Sequence, residues 1–172
     1  MKPITFLTAG LVGLSMATGA FAAGSGSSSS ETKSCPKGEV YDKKTKKCVE
    51  AERATDDAIY EGARDAAYSG EFDYAIDLLR LAANQDDPRV LNYLGFAHRK
   101  LGQTEVAMDY YLRALEIDPN YNLARSYMGQ GLVADGDMEG AKAQLAEIRN
   151  RGGADTWAYV MLENAITSGV VY

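Results

Sequence analysis

From about Glu50 onward, apolar residues recur at the three- and four-residue spacing of amphipathic helices. A pattern of small residues repeats within this region. Glycine stands at three positions separated by 32 and 34 residues: Gly70, Gly102 and Gly136. Five residues after each glycine comes an alanine, and four further on a large residue, giving Ala75 with Leu79, Ala107 with Tyr111, and Ala141 with Leu145. A recurrence near 34 residues predicts stacked helical hairpins.

The residue types in this pattern have a physical reason. Glycine between two helices permits the backbone conformation that ends one helix and starts the next, and alanine at the crossing lets the two axes approach closely. A hairpin such as Leu94 to Pro119 has too little apolar surface to fold alone. Its core must therefore be completed by the hairpins before and after it.

A break follows the third hairpin, at residues 151–155. The stretch from Thr156 then predicts one more amphipathic helix, which would cover the last apolar face of the stack. We expect Trp157 to lie in the core of this cap rather than at a ligand site.

The N-terminus has the order of a cleavable secretory signal. A basic start at Lys2 precedes an apolar run from Phe6 to Met16 and small residues at Ala20 and Ala22, which predicts a signal peptide over residues 1–22. The alternative is a retained anchor, but the run is rich in small residues and no basic flank follows it. We expect a periplasmic or secreted protein without stable membrane insertion after cleavage, with residues 23–34 as a flexible Ser- and Gly-rich linker.

Two cysteines, Cys35 and Cys48, bracket a basic segment with five lysines and two acidic residues. In an oxidising compartment they are predicted to form a disulfide that closes a small hairpin or loop over residues 35–49. A zinc site would need further ligands that are missing nearby.

Residues 50–172 form the predicted helical domain. From Ala54 onward there are 10 basic and 19 acidic residues, which argues against a nucleic-acid partner.

Residues 90–120 resemble a tetratricopeptide repeat. The family's positions are occupied by Leu94, Gly95, Gly102, Ala107, Tyr111, Ala114, Leu115 and Pro119, with Leu91 where the family often has Trp. Residues 122–149 keep the same glycine and alanine positions, and residues 54–87 keep them more loosely. The resemblance implies an all-α, right-handed solenoid of about three hairpins plus a C-terminal capping helix, preceded by the disulfide-closed loop.

In that family the first helix of each repeat lines a concave groove that binds a protein or peptide. The resemblance therefore implies a partner-binding groove at Tyr60, Arg64, Tyr68, Arg89, Asn92, Phe96, Arg99, Lys100, Ser126, Gln130 and Val133. Interleaved aromatic and basic residues would favour an acidic or C-terminal peptide segment. The subfamily that clamps a chaperone's terminal carboxylate has Lys and Asn in its first repeat, Asn in its second, and Lys and Arg in its third. The matching positions here are, in that order, Tyr60, Arg64, Tyr93, Leu123 and Tyr127. None agrees, so that ligand is not expected.

The sequence offers no catalytic constellation. The only histidine, His98, stands where the family has a packing aromatic, and we expect it to pack between two helices. Residues 135–140, DGDMEG, begin like a calcium loop, but Ala146 occupies the place of the required glutamate. We expect no catalytic residues, no metal and no cofactor.

The sequence therefore predicts an exported, non-catalytic adaptor for a protein or peptide of the cell envelope, and it leaves the oligomeric state open. An alternative is a carbohydrate or cell-envelope attachment protein in which the basic Cys35 to Cys48 loop does the binding. That loop faintly resembles one corner of certain chitin-binding modules, whose other cysteines are absent here.

Overall fold

The structure is a computed structural model that describes residues 35–172. The predicted signal peptide and linker, residues 1–34, lie outside the described residues. The described part contains two short strands, β1 (Glu39–Asp42) and β2 (Lys47–Glu50), and a 3-10 turn at Ala51–Arg53. Seven α-helices follow: α1 (Asp56–Tyr68), α2 (Phe72–Leu79), α3 (Pro88–Lys100), α4 (Thr104–Ile117), α5 (Asn122–Ala134), α6 (Met138–Asn150) and α7 (Trp157–Ser168).

The turns inside the three helical hairpins depend on the repeated glycines. Gly70, Gly102 and Gly136 have φ values of 83°, 77° and 83°, a region that side chains with a Cβ rarely adopt. Each lies between the two helices of one hairpin: α1 and α2, α3 and α4, or α5 and α6. The predicted role of these glycines is confirmed.

Within each hairpin, small residues let the two helices pack closely. Ala75, Ala107 and Ala141 are fully buried. At Gly95 of α3, an added Cβ would lie 2.7 Å from the ring of Tyr111 in α4, so only glycine fits this crossing.

The hairpins complete one another's cores, as predicted. The first helices lie side by side, since α1 contacts α3, α3 contacts α5 and α5 contacts α7. Each second helix also contacts the first helix of the next hairpin. On α7, Ala158, Leu162 and Ala165 are buried, so this helix caps the last hairpin. The fold is an all-α solenoid of helical hairpins with a C-terminal capping helix.

The disulfide-closed segment is a β-hairpin that packs on the first helical pair. Strands β1 and β2 are antiparallel, and the predicted bond between Cys35 and Cys48 is present, with a Cα–Cα distance of 5.7 Å. Val40 is buried in the same core as α1 and α2, directly against Gly62. The backbone N–H of Gly38 donates to the Tyr74 hydroxyl of α2 at 2.9 Å. The β-hairpin therefore covers the outer side of the first helical pair.

Within residues 35–172, we find no helix with the length and apolar character that a bilayer crossing requires.

Candidate functional site

Aromatic rings connect the first helices of successive hairpins on one side of the solenoid. Ring centroids lie 5.8 Å apart for Tyr68 of α1 and Tyr93 of α3, and 4.9 Å apart for Phe96 of α3 and Tyr127 of α5. Tyr127 in turn meets Trp157 of α7 at 6.4 Å. We call this side, formed by α1, α3, α5 and the start of α7, the inner face. Because its rings come from four helices, it exists only in the assembled stack.

Three tyrosine hydroxyls meet at the centre of the inner face. The hydroxyl of Tyr68 lies 2.7 Å from that of Tyr93 and 3.0 Å from that of Tyr127. Burial is the main cause that raises the pKa of Tyr93 and of Tyr127 above its usual value, and the neighbouring Tyr68 hydroxyl adds to it. Tyr93 and Tyr127 therefore keep their protons near neutral pH, and the three hydroxyls link three hairpins.

The segment after α7 lies on the inner face. Gly169 ends the helix with a φ of 71°, and the chain turns back across the first helices. The backbone N–H of Tyr172 donates to Oε1 of Gln130 at 2.8 Å, and its backbone oxygen accepts from Nη2 of Arg99 at 2.6 Å. Side chains of α3 and α5 thus bind the main-chain N–H and the main-chain oxygen of one residue, Tyr172.

The side chains of this segment are also held. The Tyr172 ring lies 6.1 Å from that of Tyr68, 6.4 Å from Phe96 and 6.1 Å from Trp157. Val171 packs on the cluster that contains Val133. We call residues 170–172 the tail, and the tail site consists of Tyr68, Phe96, Arg99, Gln130, Val133 and Trp157. In this structure the tail covers part of the inner face.

The predicted groove residues have very different exposures. Buried residues are Asn92, Phe96, Arg99, Ser126, Gln130 and Val133. Half-buried residues are Tyr60, Arg64 and Arg89, and exposed ones are Tyr68 and Lys100. The prediction treats all eleven as lining an open groove, whereas the six residues on α3 and α5 named first are buried. Five of the eleven belong to the tail site.

The basic residues on this side are partly neutralised. Arg64 pairs with Glu61 at 2.8 Å, and Arg89 pairs with Asp87 at 2.7 Å and with Asp57 at 3.0 Å. Arg99 and Lys100 take part in none of the ion pairs among residues 35–172. Of the four basic residues predicted for the groove, only Arg99 and Lys100, at the end of α3, are thus without an ion pair in the described part of the chain.

A second feature lies where the β-hairpin meets α1. A cavity of about 330 Å³ is lined by residues 41–44 together with Thr55, Asp57, Tyr60, Glu61 and Arg89, among others. The Arg89 guanidinium stands 4.9 Å from the centre of the Tyr60 ring. Burial alone would raise the pKa of Asp87, but the hydrogen bonds from Arg89 outweigh it and hold that pKa below its usual value. Arg89 is thus held in place by Asp57, Asp87 and the Tyr60 ring.

Several inner-face residues were not among the predicted site residues. Tyr93 and Tyr127 enter the sequence prediction only as positions that do not match a carboxylate clamp, and Tyr172 has no predicted role. The expectation that Trp157 lies in the cap core is wrong, because it is 50% exposed and its ring faces Tyr172. The buried side of α7 follows the helical spacing of Ala158, Leu162 and Ala165, and Trp157 does not belong to that series.

The structure gives local roles to the residues considered for chemistry. His98 stacks on Tyr110 of α4, with ring centroids 5.4 Å apart, and its Nδ1 contacts Gln103, so the predicted packing role is confirmed. Asp137 accepts a hydrogen bond from the backbone N–H of Gly140 at 2.9 Å and caps α6. Among residues 35–172, no group of three or more His, Cys, Asp or Glu side chains could hold a metal ion.

Stacked helical hairpins with a shared inner face define the class of helical-repeat proteins. The tetratricopeptide repeat family model matches residues 88–121, which contain all of α3 and α4. No curated protein matches the chain. The family match therefore supports a tetratricopeptide repeat at residues 88–121, within a chain whose fold is a stack of similar helical hairpins. Such repeats indicate a scaffold for protein–protein interactions, and members of the family are generally non-catalytic.

Proposed function

We propose that this protein is an exported, non-catalytic scaffold that binds a protein or peptide of the cell envelope on its inner face. The observation that carries this proposal is the convergence of Tyr68, Phe96, Arg99, Gln130 and Trp157 on one spot from four different helices. Aromatic and arginine side chains are the residue types that most often anchor protein interfaces.

The charges favour a protein partner over a nucleic acid. The helical region is acidic, with 10 basic and 19 acidic residues from Ala54 onward, and a phosphate backbone would require clustered basic residues. Among residues 35–172, Arg99 and Lys100 at the end of α3 form no ion pair with an acidic side chain. They favour a partner segment that presents carbonyl or carboxylate oxygens there.

Export is supported by the signal-like order of residues 1–22 and by the disulfide, which is typical of proteins that fold in an oxidising compartment. Cell fractionation tests the location. Recovery of the protein in the cytoplasm with residues 1–22 still attached would count against export.

Photo-crosslinking in living cells tests the binding surface. Lys100 is an exposed groove position beside Arg99, so a photo-reactive residue there should capture an envelope protein. Val106 on α4, which is 43% exposed, is the matched control outside the inner face and should capture nothing. Phe96→Ala is less informative, since removing a buried phenylalanine costs about 3–5 kcal/mol of folding stability.

The alternative of a carbohydrate or envelope attachment protein is an outcome of the same experiment. A third probe at Lys46, at the exposed tip of the β-hairpin, examines that surface directly. If adducts form at Lys46 and not at Lys100, the inner face is not the binding surface and the proposal fails.

A further inference from the structure

We infer that the tail is an intramolecular ligand of the inner face, and that the partner presents an extended segment of the same chemistry: a β-branched apolar residue followed by an aromatic one. This inference rests on the proposed function, since it describes the ligand of the same surface. It adds that the partner must displace residues 170–172.

The backbone contacts of the tail are those expected of peptide recognition. One side chain accepts from the N–H of Tyr172 and another donates to its backbone oxygen, at 2.8 and 2.6 Å. Gln130 is fully buried, and its Nε2 lies 3.5 Å from Oγ of Ser126, which directs Oε1 towards the tail. Arg99 lies 5.6 Å from the centre of the Phe96 ring, which limits where its guanidinium can point. These contacts recognise an extended backbone and carry no sequence preference by themselves.

The side-chain contacts supply the preference. Three rings from α1, α3 and α7 surround the ring of Tyr172, mostly edge to face, so an aromatic side chain fits better than an aliphatic one. Val171 lies against the apolar cluster of Val133, Ala141 and Ala165, which favours a compact apolar residue before the aromatic one. The tail itself, Val-Val-Tyr, thus shows which segment the site accepts.

The tail is bound weakly enough to dissociate from the inner face. Its first residue, Val170, is 73% exposed, and Tyr172 is 45% exposed despite its contacts. Gly169 ends α7, so the tail adds no helical hydrogen bonds to the fold and can move without unfolding α7. Because a short tether gives an effective concentration in the millimolar range, a partner segment of similar intrinsic affinity binds weakly until the tail is displaced.

Trp157 provides a direct measurement of tail occupancy. It is the only tryptophan of the chain, and its ring lies 6.1 Å from that of Tyr172. Tyr172→Ala should shift its emission to longer wavelength, because the indole loses the covering ring. Tyr172→Phe is the matched control and should leave the emission unchanged, since the ring remains. The shift should not depend on protein concentration; a concentration-dependent signal would mean exchange of tails between copies and would overturn the intramolecular assignment.

Binding is then measured by fluorescence polarisation with a labelled peptide Ser-Gly-Val-Val-Tyr, the sequence of residues 168–172. A variant that ends at Gly169 should bind this peptide at least tenfold more tightly than the full chain does. A peptide with alanine in place of tyrosine should bind at least tenfold more weakly. Tyr172→Ala, which keeps the chain length, is the second variant and should show the same gain if the shortened one folds poorly.

The outcomes separate this inference from the proposed function. Equal affinity of the full and shortened chains for the peptide, or no binding to either, would overturn the inference while leaving crosslinks at Lys100 as support for the scaffold. Peptide binding that depends on removal of the tail would support the inference. Absence of envelope crosslinks from Lys100 would count against the proposed function alone.

Discussion

The contact between the β-hairpin and α1 can be tested by exchanging the sizes of two residues. Val40 is buried, and an added Cβ at Gly62 would lie 2.6 Å from its Cγ1 and 3.2 Å from its Cβ. Val40→Ala removes both methyl groups from this contact. Gly62→Ala places a methyl group where they were. The two changes should therefore compensate for each other.

The magnitudes follow from the geometry. Val40→Ala should lower the free energy of unfolding by about 2 kcal/mol, for two buried methyl groups and part of a cavity. Gly62→Ala should lower it by about 1 kcal/mol, since overpacking costs about 1–3 kcal/mol and alanine in a helix returns about 1 kcal/mol. Independent effects would sum to about 3 kcal/mol, whereas in the double variant the overlap is absent and the loss should be about 1 kcal/mol.

Urea unfolding of the wild type, both single variants and the double variant measures this coupling of about 2 kcal/mol. Val49→Ala is the matched control, because Val49 pairs with Val40 in the strand register and is only partly buried. Its effect should add to that of Gly62→Ala within about 0.5 kcal/mol. If the Val40 and Gly62 changes also prove additive within that margin, the β-hairpin does not pack on α1 as described.

Three further predictions concern the helical stack. The stability advantage of wild type over Asp87→Asn is expected to be about 0.5–1 kcal/mol, because the pair with Arg89 is partly exposed. It should be present above pH about 4 and be lost as the pH falls through the lowered pKa of Asp87; an advantage that does not decline below pH about 4 would contradict the assignment. Gly95→Ala should lower the free energy of unfolding by about 1–2 kcal/mol, measured by heat or urea, because the ring of Tyr111 is fully buried beside Gly95. Gly131→Ala is the control. Its added methyl group would meet only the end of the Met108 side chain and the aliphatic part of Arg99, so stability should change by less than about 0.5 kcal/mol. Reducing the disulfide should lower stability by about 3 kcal/mol on the chain-entropy estimate, and protection from hydrogen exchange should fall first in the β-hairpin; unchanged protection there would show that the bond contributes nothing.

The helical stack could be predicted because its causes are local and periodic. Gly102 ends one helix with a positive φ, and Ala107 lies at a crossing where a larger side chain would not fit. Both requirements recur in every hairpin, so the regular spacing of glycine and alanine in the sequence is enough to predict them. The first hairpin is less regular, since α2 ends at Leu79 and the side chain of Gln85 bonds to the carbonyl oxygens of Leu79 and Ala82 instead.

The candidate site could be predicted only in part. Positions on the first helices follow from the repeat, which is why Phe96, Arg99 and Gln130 were identified. The contacts of Tyr172 depend on where α7 ends and on how the chain turns at Gly169, and a stretch of four residues has no periodicity that could show this. The docking of Val40 on Gly62 is likewise a long-range contact, and Gly62 has no counterpart in the repeat pattern.

The meeting of the Tyr68, Tyr93 and Tyr127 hydroxyls bears on how this protein receives a partner. Stacks of helical pairs can bend and twist along their length, because each pair contacts only its neighbours. Here one point ties all three pairs together, so their relative angles are set before any partner arrives. A rigid receptor loses little freedom on binding, and its selectivity then depends on shape rather than on adaptation.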